Sequence, residues 1–344
     1  MTTLFLEPLD VLYLRGNKLF ADAGAHGEAL MPPWPSLAAG AIRSRLMAEG
    51  ASLEALADFR LTQFGLGRRH ESKAIDSLWP LPADVIVSDE IGLADATYLR
   101  PCPTPTGIAS SHALPKLPTL QTEIPGKPVA GLWLTGDGIA TWLAGQPLNA
   151  KHFVRSGELW QTDPRLGIAL DPMTRSAAHG KIYTTETIAL KKGIGFIAAY
   201  EGSAKELPAE SLVRVGGDGR GAVVRFVTPP PITPDWTRIE KEGRFRLMLT
   251  TPGMFSGGWR PDGVPATLVA ASVSRAETVS GWDLVTNNPK PAQRVAPTGS
   301  VYWFENFLGD LAALKALALN GFPSADPSRY AEGFGKLAIA PWAA

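Results

Sequence analysis

Leu, Phe and Tyr crowd residues 3–14, which predicts an opening strand followed by a glycine-containing loop. Ser36 then precedes LAAGAIRSRLMAEG, whose apolar residues recur at i, i+4, so a helix is predicted with Ser36 as N-cap and Gly50 at its end. Residues 51–66 are expected to continue helically. Residues 74–98 hold Asp76, Asp84, Asp89, Glu90 and Asp95 without one Lys or Arg, and 101–128 is studded with Pro. Together they predict an acidic, loop-rich insertion over about 70–130 that takes no part in a core.

From residue 157 the pattern changes to two alternating runs, around LGIAL and around KIYTTETIAL, on either side of DPMTRSAAHG. Asp-Pro favours a turn and Gly180 supplies backbone freedom, so a β-hairpin is predicted over about 158–190. Ile168, Leu170 and Ile182, or their neighbours, are expected to pack against the sheet at its base only, and the tip, poor in large apolar residues, to project. A further strand, AVVRFV, runs into Pro229, Pro230 and Pro231, which cannot continue a central strand and place a boundary near 229–242. The second half reads as strand RFRLMLTTPGMF, strands ATLVAASV and SVYWFE, a helix over NFLGDLAALKALALNGF, and strand KLAIA. The layout predicts an α+β chain of two ferredoxin-like (RRM-like) domains, 1–230 and 240–344, the first carrying the hairpin and the insertion. A length of 344 residues accommodates two such domains.

Basic and acidic residues are equal at 33 each, which removes the global positive field of a free-standing nucleic-acid binder; a polyanion must be met by a local patch. Charged residues make up 19%, below the usual ~25%, and such an under-charged surface points to protein partners. The single cysteine, Cys102, excludes an intramolecular disulfide and any cysteine cluster, and fits a reducing compartment. With neither a basic leader nor an apolar run of about 18 residues, the chain is expected to be cytoplasmic and to have no membrane partner.

The common enzyme signatures are missing: no P-loop, no G-x-S-x-G, no H-E-x-x-H, and Gly217-Asp218-Gly219-Arg220-Gly221 lacks the dinucleotide spacing. The five histidines (His26, His70, His112, His152, His179) form no i, i+4 pair, so neither a metal nor another cofactor is expected. Three features suit a phosphate chain. The predicted helix start offers free N–H groups, the Ser36 hydroxyl and Arg43 two turns on, although the same residues also read as an ordinary core helix. The loop with Gly217 and Arg220 lets backbone approach a sugar-phosphate chain, or is a plain connecting turn. The hairpin brings Arg165, Arg175, His179 and Lys181 within a segment (140–200) of seven basic and four acidic residues.

As a set these residues resemble the RAMP superfamily of CRISPR-associated proteins. The resemblance is carried by Arg165-Leu166-Gly167-Ile168 followed by Asp171, Thr174, Ala177, Gly180, Tyr183 and Glu186; by Pro35-Ser36 with Gly40 and Arg43; and by Gly333-Phe334-Gly335 before an apolar strand. LEPLDVLYLRG and Gly299-Ser300-Val301-Tyr302-Trp303-Phe304 are most similar to the subunit type that caps the crRNA 5′ handle in type III-B (Cmr) effector complexes. The resemblance implies a non-catalytic RNA-binding subunit. Its expected partners are the crRNA 5′ handle, the large polymerase-like signature subunit and a neighbouring RAMP backbone subunit. The residues expected at RNA are Ser36, Arg43, Arg165, Thr174, Arg175, His179, Lys181, Gly217 and Arg220. The rival is a metal-independent endoribonuclease of CRISPR repeat RNA with His26, between Gly24 and Gly27, as base; general acid–base work needs a partner that the sequence does not point to. An architectural protein without RNA contact is the third reading.

Overall fold

A computed structural model describes residues 1–16, 26–88, 96–108, 114–121, 126–202, 207–208, 210–283, 287–324 and 326–342, with the backbone alone at 179–181. The first half contains β1 (Thr2–Pro8), α1 (Ser36–Ala48), β2 (Arg60–Arg69), β3 (Ile75–Pro80), β4 (Leu132–Leu134), α2 (Gly136–Leu143) and β5 (Phe153–Arg155). It continues with β6 (Trp160–Leu170), β7 (Ala177–Leu190), β8 (Ile194–Glu201), β9 (Leu212–Arg214) and β10 (Gly221–Phe226). Eight of these strands form one antiparallel sheet in the order β5-β4-β3-β2-β8-β1-β10-β9. Every residue of β8 from Ile194 to Tyr200 is buried, as a central strand demands. Leu4, Leu6, Leu61, Phe196 and Val224 from the sheet meet Ala38, Ala39, Ile42 and Leu46 of α1 in the first core.

The second half supplies α3 (Trp236–Glu242), β11 (Phe245–Leu249), β12 (Thr267–Ser272), β13 (Val301–Glu305), α4 (Leu311–Asn320), α5 (Pro327–Ala331) and β14 (Leu337–Ala340). Asp235, Asp310 and Asp326 accept backbone N–H bonds at the starts of α3, α4 and α5, satisfying donors that a helix leaves orphaned. Its sheet runs β12-β13-β11-β14, all antiparallel. Counted along the chain this is second-third-first-fourth, and β2-β8-β1-β10 at the centre of the first sheet has the same order. In both halves a hairpin leaves between the second strand and the third. In the first half it is β6–β7; in the second, Glu277–Val279 pairs with Gln293–Val295 and Trp282–Asp283 with Asn288–Pro289.

A second core is shared between the halves. Val85, Leu134, Ile139, Trp142 and Phe153 pack with Met248, Val269, Trp303 and Trp342. At its centre Arg246 on β11 binds Asp84 (Nη1 to Oδ2, 2.5 Å) and donates to the Trp142 carbonyl at 3.0 Å. Its guanidinium lies 4.4 Å from the Trp142 ring and 4.7 Å from that of Tyr98, and Trp142 Nε1 donates to the second Asp84 oxygen at 3.1 Å.

Three local expectations are corrected. Within 51–66, expected to be helical, residues from Arg60 on belong to strand β2: between Ala199 and Tyr200 the pairing skips a residue, Thr62, so Leu61 and Phe64 reach the same core at a spacing of three that imitates a helix. Residues 75–87 are not excluded from the core, because β3 lies within the main sheet and Asp84 owes its burial to Arg246. Ser36 is the first helical residue, with Pro35 in the cap position and no side-chain cap; Asp89, Glu90 and Asp95 lie outside the described residues.

Candidate nucleic-acid interface

The hairpin β6–β7 is held at its root. Leu12 and Ile188 exchange two backbone bonds of 2.9 Å, Ile188 is buried, and Trp160 and Leu190 pack against the first core. Thr184 and Thr185 of β7 pair in parallel with His26 and Gly27. Directly opposed residues share a face, so Trp160, Leu190 and Ile188 begin an apolar face that continues outward through Leu166, Ile168 and Ile182. The base is packed, but by Trp160, Ile188 and Leu190, and not by Ile168, Leu170 and Ile182. Leu166 is 71% exposed, Ile168 48%, Leu170 58%, Ile182 55% and Met173 91%. These residues lie beyond the reach of the Leu12 segment, so alternation persists where there is no core to receive it.

The opposite face carries Asp163, Arg165, Gly167, Tyr183 and Thr187. At Gly167 a Cβ would lie 2.3 Å from the Tyr183 ring, so a larger residue there would have to displace that ring. Arg165 binds Asp163 at 3.1 Å, which raises its pKa above the ordinary arginine value, with Tyr13 adding to the effect. At the tip, Asp171 accepts from the N–H groups of Thr174 (3.0 Å) and Met173 (2.8 Å), and these bonds hold its carboxyl below the usual range. Thr174 Oγ1 is 2.8 Å from Ser176 Oγ. Arg175 sits at φ 53°, exposed, and no acid pairs with its guanidinium among the described residues.

Tyr13 is the hub between hairpin root and glycine loop. Its carbonyl accepts from Gly217 N at 2.9 Å, and Gly216, at φ 76°, has no room for a Cβ, which would lie 2.7 Å from the same oxygen. Arg220 lies 5.4 Å from the Tyr13 ring and is held by Asp10 and Asp218. Nearby, burial pushes the Glu7 carboxyl up, but hydrogen bonds from Arg69 and Arg225 outweigh it and hold the pKa below its ordinary value.

The structure thus gathers Arg165, Gly217 and Arg220 around Tyr13, with Thr174 and Arg175 roughly 20 Å farther out along β6. His179 and Lys181 belong to β7, their side chains outside the described ones. Ser36 and Arg43 do not join this group. Arg43 lies 5.8 Å over Phe59, which stacks on Tyr200 where β1 begins, whereas Arg220 stands near its end. Beside Ser36, Trp34 packs against Val279, Val295 and Phe334, joining two segments of the resemblance across some 300 residues of chain.

Sequence reasoning missed Tyr13 and the exposed Leu166–Ile168–Ile182 row. The sequence reading counted Tyr13 into the opening strand, which ends at Pro8, so its place in the following connection was hidden. His26, for which no partner was expected, has two: Nδ1 is 2.9 Å from Thr184 Oγ1 and Nε2 is 3.4 Å from Glu186. Among the described residues no three His, Cys, Asp or Glu converge as metal ligands, and no helix is long and apolar enough to cross a membrane.

The architecture is that of subunits in type III-B CRISPR assemblies. A chain of the type III-B Cmr-beta structure bound to cognate target RNA and AMPPnP superposes with a TM-score of 0.54 at 12% identity, over 92% of this chain and 88% of that one. A chain of Cmr-beta bound to cognate target RNA gives 0.54 at 13% identity, over 96% and 94%. No curated protein sequence matches the chain. The family model of the CRISPR-associated protein Cas_Cmr3 matches residues 4–342, and the chain belongs to that family.

Proposed function

We propose that the chain is a non-catalytic, RNA-binding subunit of a type III-B CRISPR effector complex. In this reading it holds the 5′ handle of the crRNA and joins the large polymerase-like subunit to the neighbouring backbone subunit, and each half is a ferredoxin-like unit. The observation that carries the reading is the hairpin: rooted in the first core, with an uncovered apolar row on its outer half and the unpaired Arg175 at its tip. Apolar side chains on a projecting ribbon can wedge between bases, and an exposed guanidinium can neutralise the adjoining phosphate. Arg165 and Arg220 each hold carboxylates, so they shape the root, and a phosphate would have to compete for them. Deleting 173–179 and closing with Gly-Gly tests this in a reconstituted complex. The fold should survive, and the nuclease footprint at the handle–spacer junction should be lost; an unchanged footprint and affinity would assign the tip to solvent.

The rival reading gains one observation, the His26–Thr184–Glu186 contact, which gives an imidazole a carboxylate neighbour. Glu186 also accepts from Ala29 N at 3.0 Å, so it serves to fasten the His26–Gly27 strand to β7. Purified protein is expected to leave repeat RNA intact on a gel with or without divalent metal. Specific cleavage abolished by His26→Ala would install the endoribonuclease instead.

A further inference from the structure

A cavity of about 570 Å³ opens at the root of the second-half hairpin, within the range of small-ligand sites. Its walls are apolar, with Leu114, Leu117 and Val273 beside the indole of Trp259. That indole is fixed. Its ring stacks on Tyr302 at 6.5 Å and 4° between planes, the Tyr302 hydroxyl donates to the Trp259 carbonyl at 2.7 Å, and Tyr302 is itself fully buried on β13. Two cations line the cavity, and their states differ. Lys116 is paired with Glu305 at 2.6 Å, whereas Arg294 is exposed and has no ion pair among the described residues. In a chain without net charge, Arg294 is the lining guanidinium left without an acid among the described residues, and it makes the opening a local point of attraction for an anion.

The placement repeats that of the first half. Tyr13 lies in the connection from the first strand of its sheet to the second, against the hairpin root and near Arg165 and Arg220; Trp259 lies in the equivalent connection from β11 to β12, and shares its cavity with Arg294 of the hairpin. A rigid aromatic plane next to an uncompensated guanidinium suits a flat ring bearing an anionic group.

We propose that this cavity is a second RNA site, which takes a single unpaired nucleotide: the base lies in the apolar cavity against Trp259 and the phosphate meets Arg294. It goes beyond the handle-binding reading and rests on it only in taking RNA as the ligand. The base–aromatic contact is sequence-tolerant, because every base offers a π-face, so the site would grip a strand without reading it.

The test uses the full chain and two probes, uridine monophosphate and a pentanucleotide containing 4-thiouridine. Arg294→Gln changes an exposed side chain, and Trp259→Leu keeps an apolar filler in case alanine would loosen the loop; melting temperatures verify both folds. Each is expected to weaken nucleotide binding about tenfold or more, the scale of one charge-assisted bond or one stacked base. Photocrosslinks should map to peptides containing Trp259 or Arg294. Unchanged affinity in both folded variants, or no nucleotide binding by the wild type, would overturn the proposal. Crosslinks confined to β6–β7 would overturn it while leaving the first-half reading intact; crosslinks at Arg294 with none at β6–β7 would do the reverse.

Discussion

Lys336 shows how the fold acts on a single charge. It is buried, its Nζ donates to the Asn320 carbonyl at 2.6 Å and sits 4.8 Å over the Tyr330 ring, and burial, aided by the charge of Arg60, pushes its pKa down from 10.5 to about 8. Between these two values the unfolded chain holds a proton that the folded chain has released. Stability therefore rises with pH from about 8 to about 10.5, by about 3 kcal/mol at most. Lys336→Met should remove this rise, and denaturant melts of both proteins across that window measure the difference. Arg43 poses a different question, since its guanidinium has an aromatic partner and no carboxylate among the described residues. If it meets a handle phosphate, Arg43→Ala should lower the salt slope of RNA binding by about one unit for every handle sequence tested. Loss confined to one base identity would make it a base reader.

At the scale of elements, alternation along the chain was legible and its destination was not. The runs around 160–170 and 177–190 read directly as a hairpin, and the strands near 245, 267, 301 and 337 were visible in the same way. Which face of the hairpin finds a core depends on where the Leu12 segment ends, and no local pattern records that. Thr62 shows the converse, a bulge that makes strand spacing look helical. The exposure of Ile168 and Ile182 gives a direct prediction. A double change to serine should move stability by no more than about 0.5 kcal/mol, as for other exposed positions, while weakening RNA binding in the assembled complex. A large fall in melting temperature would place these side chains in a core after all. Gly167 was legible as part of a motif, but its reason, the Tyr183 ring lying over it, needed the register of the two strands.

Over the whole molecule the two halves share an interior that no stretch of sequence announces. The acidic residues of 74–98 look solvated when read alone, yet Asp84 is the buried partner of an arginine 162 residues away. Removing one member of such a pair strands the other charge, at a cost of about 3–5 kcal/mol. Arg246→Ala should therefore destabilise both halves together, with calorimetry showing one transition at a lower temperature. Two separate transitions, only one of them shifted, would show the halves to be independent. The cavity at Trp259 belongs to the same scale, since Leu114, Trp259, Val273 and Arg294 meet only when four segments converge.

The central claim is that this chain holds the 5′ end of a guide RNA, and sequencing the RNA that co-purifies with it from its native host tests that claim most directly. The account predicts a set of short RNAs with variable interiors that share one 5′ end. RNAs with no common 5′ end, or a complex free of RNA, would contradict it.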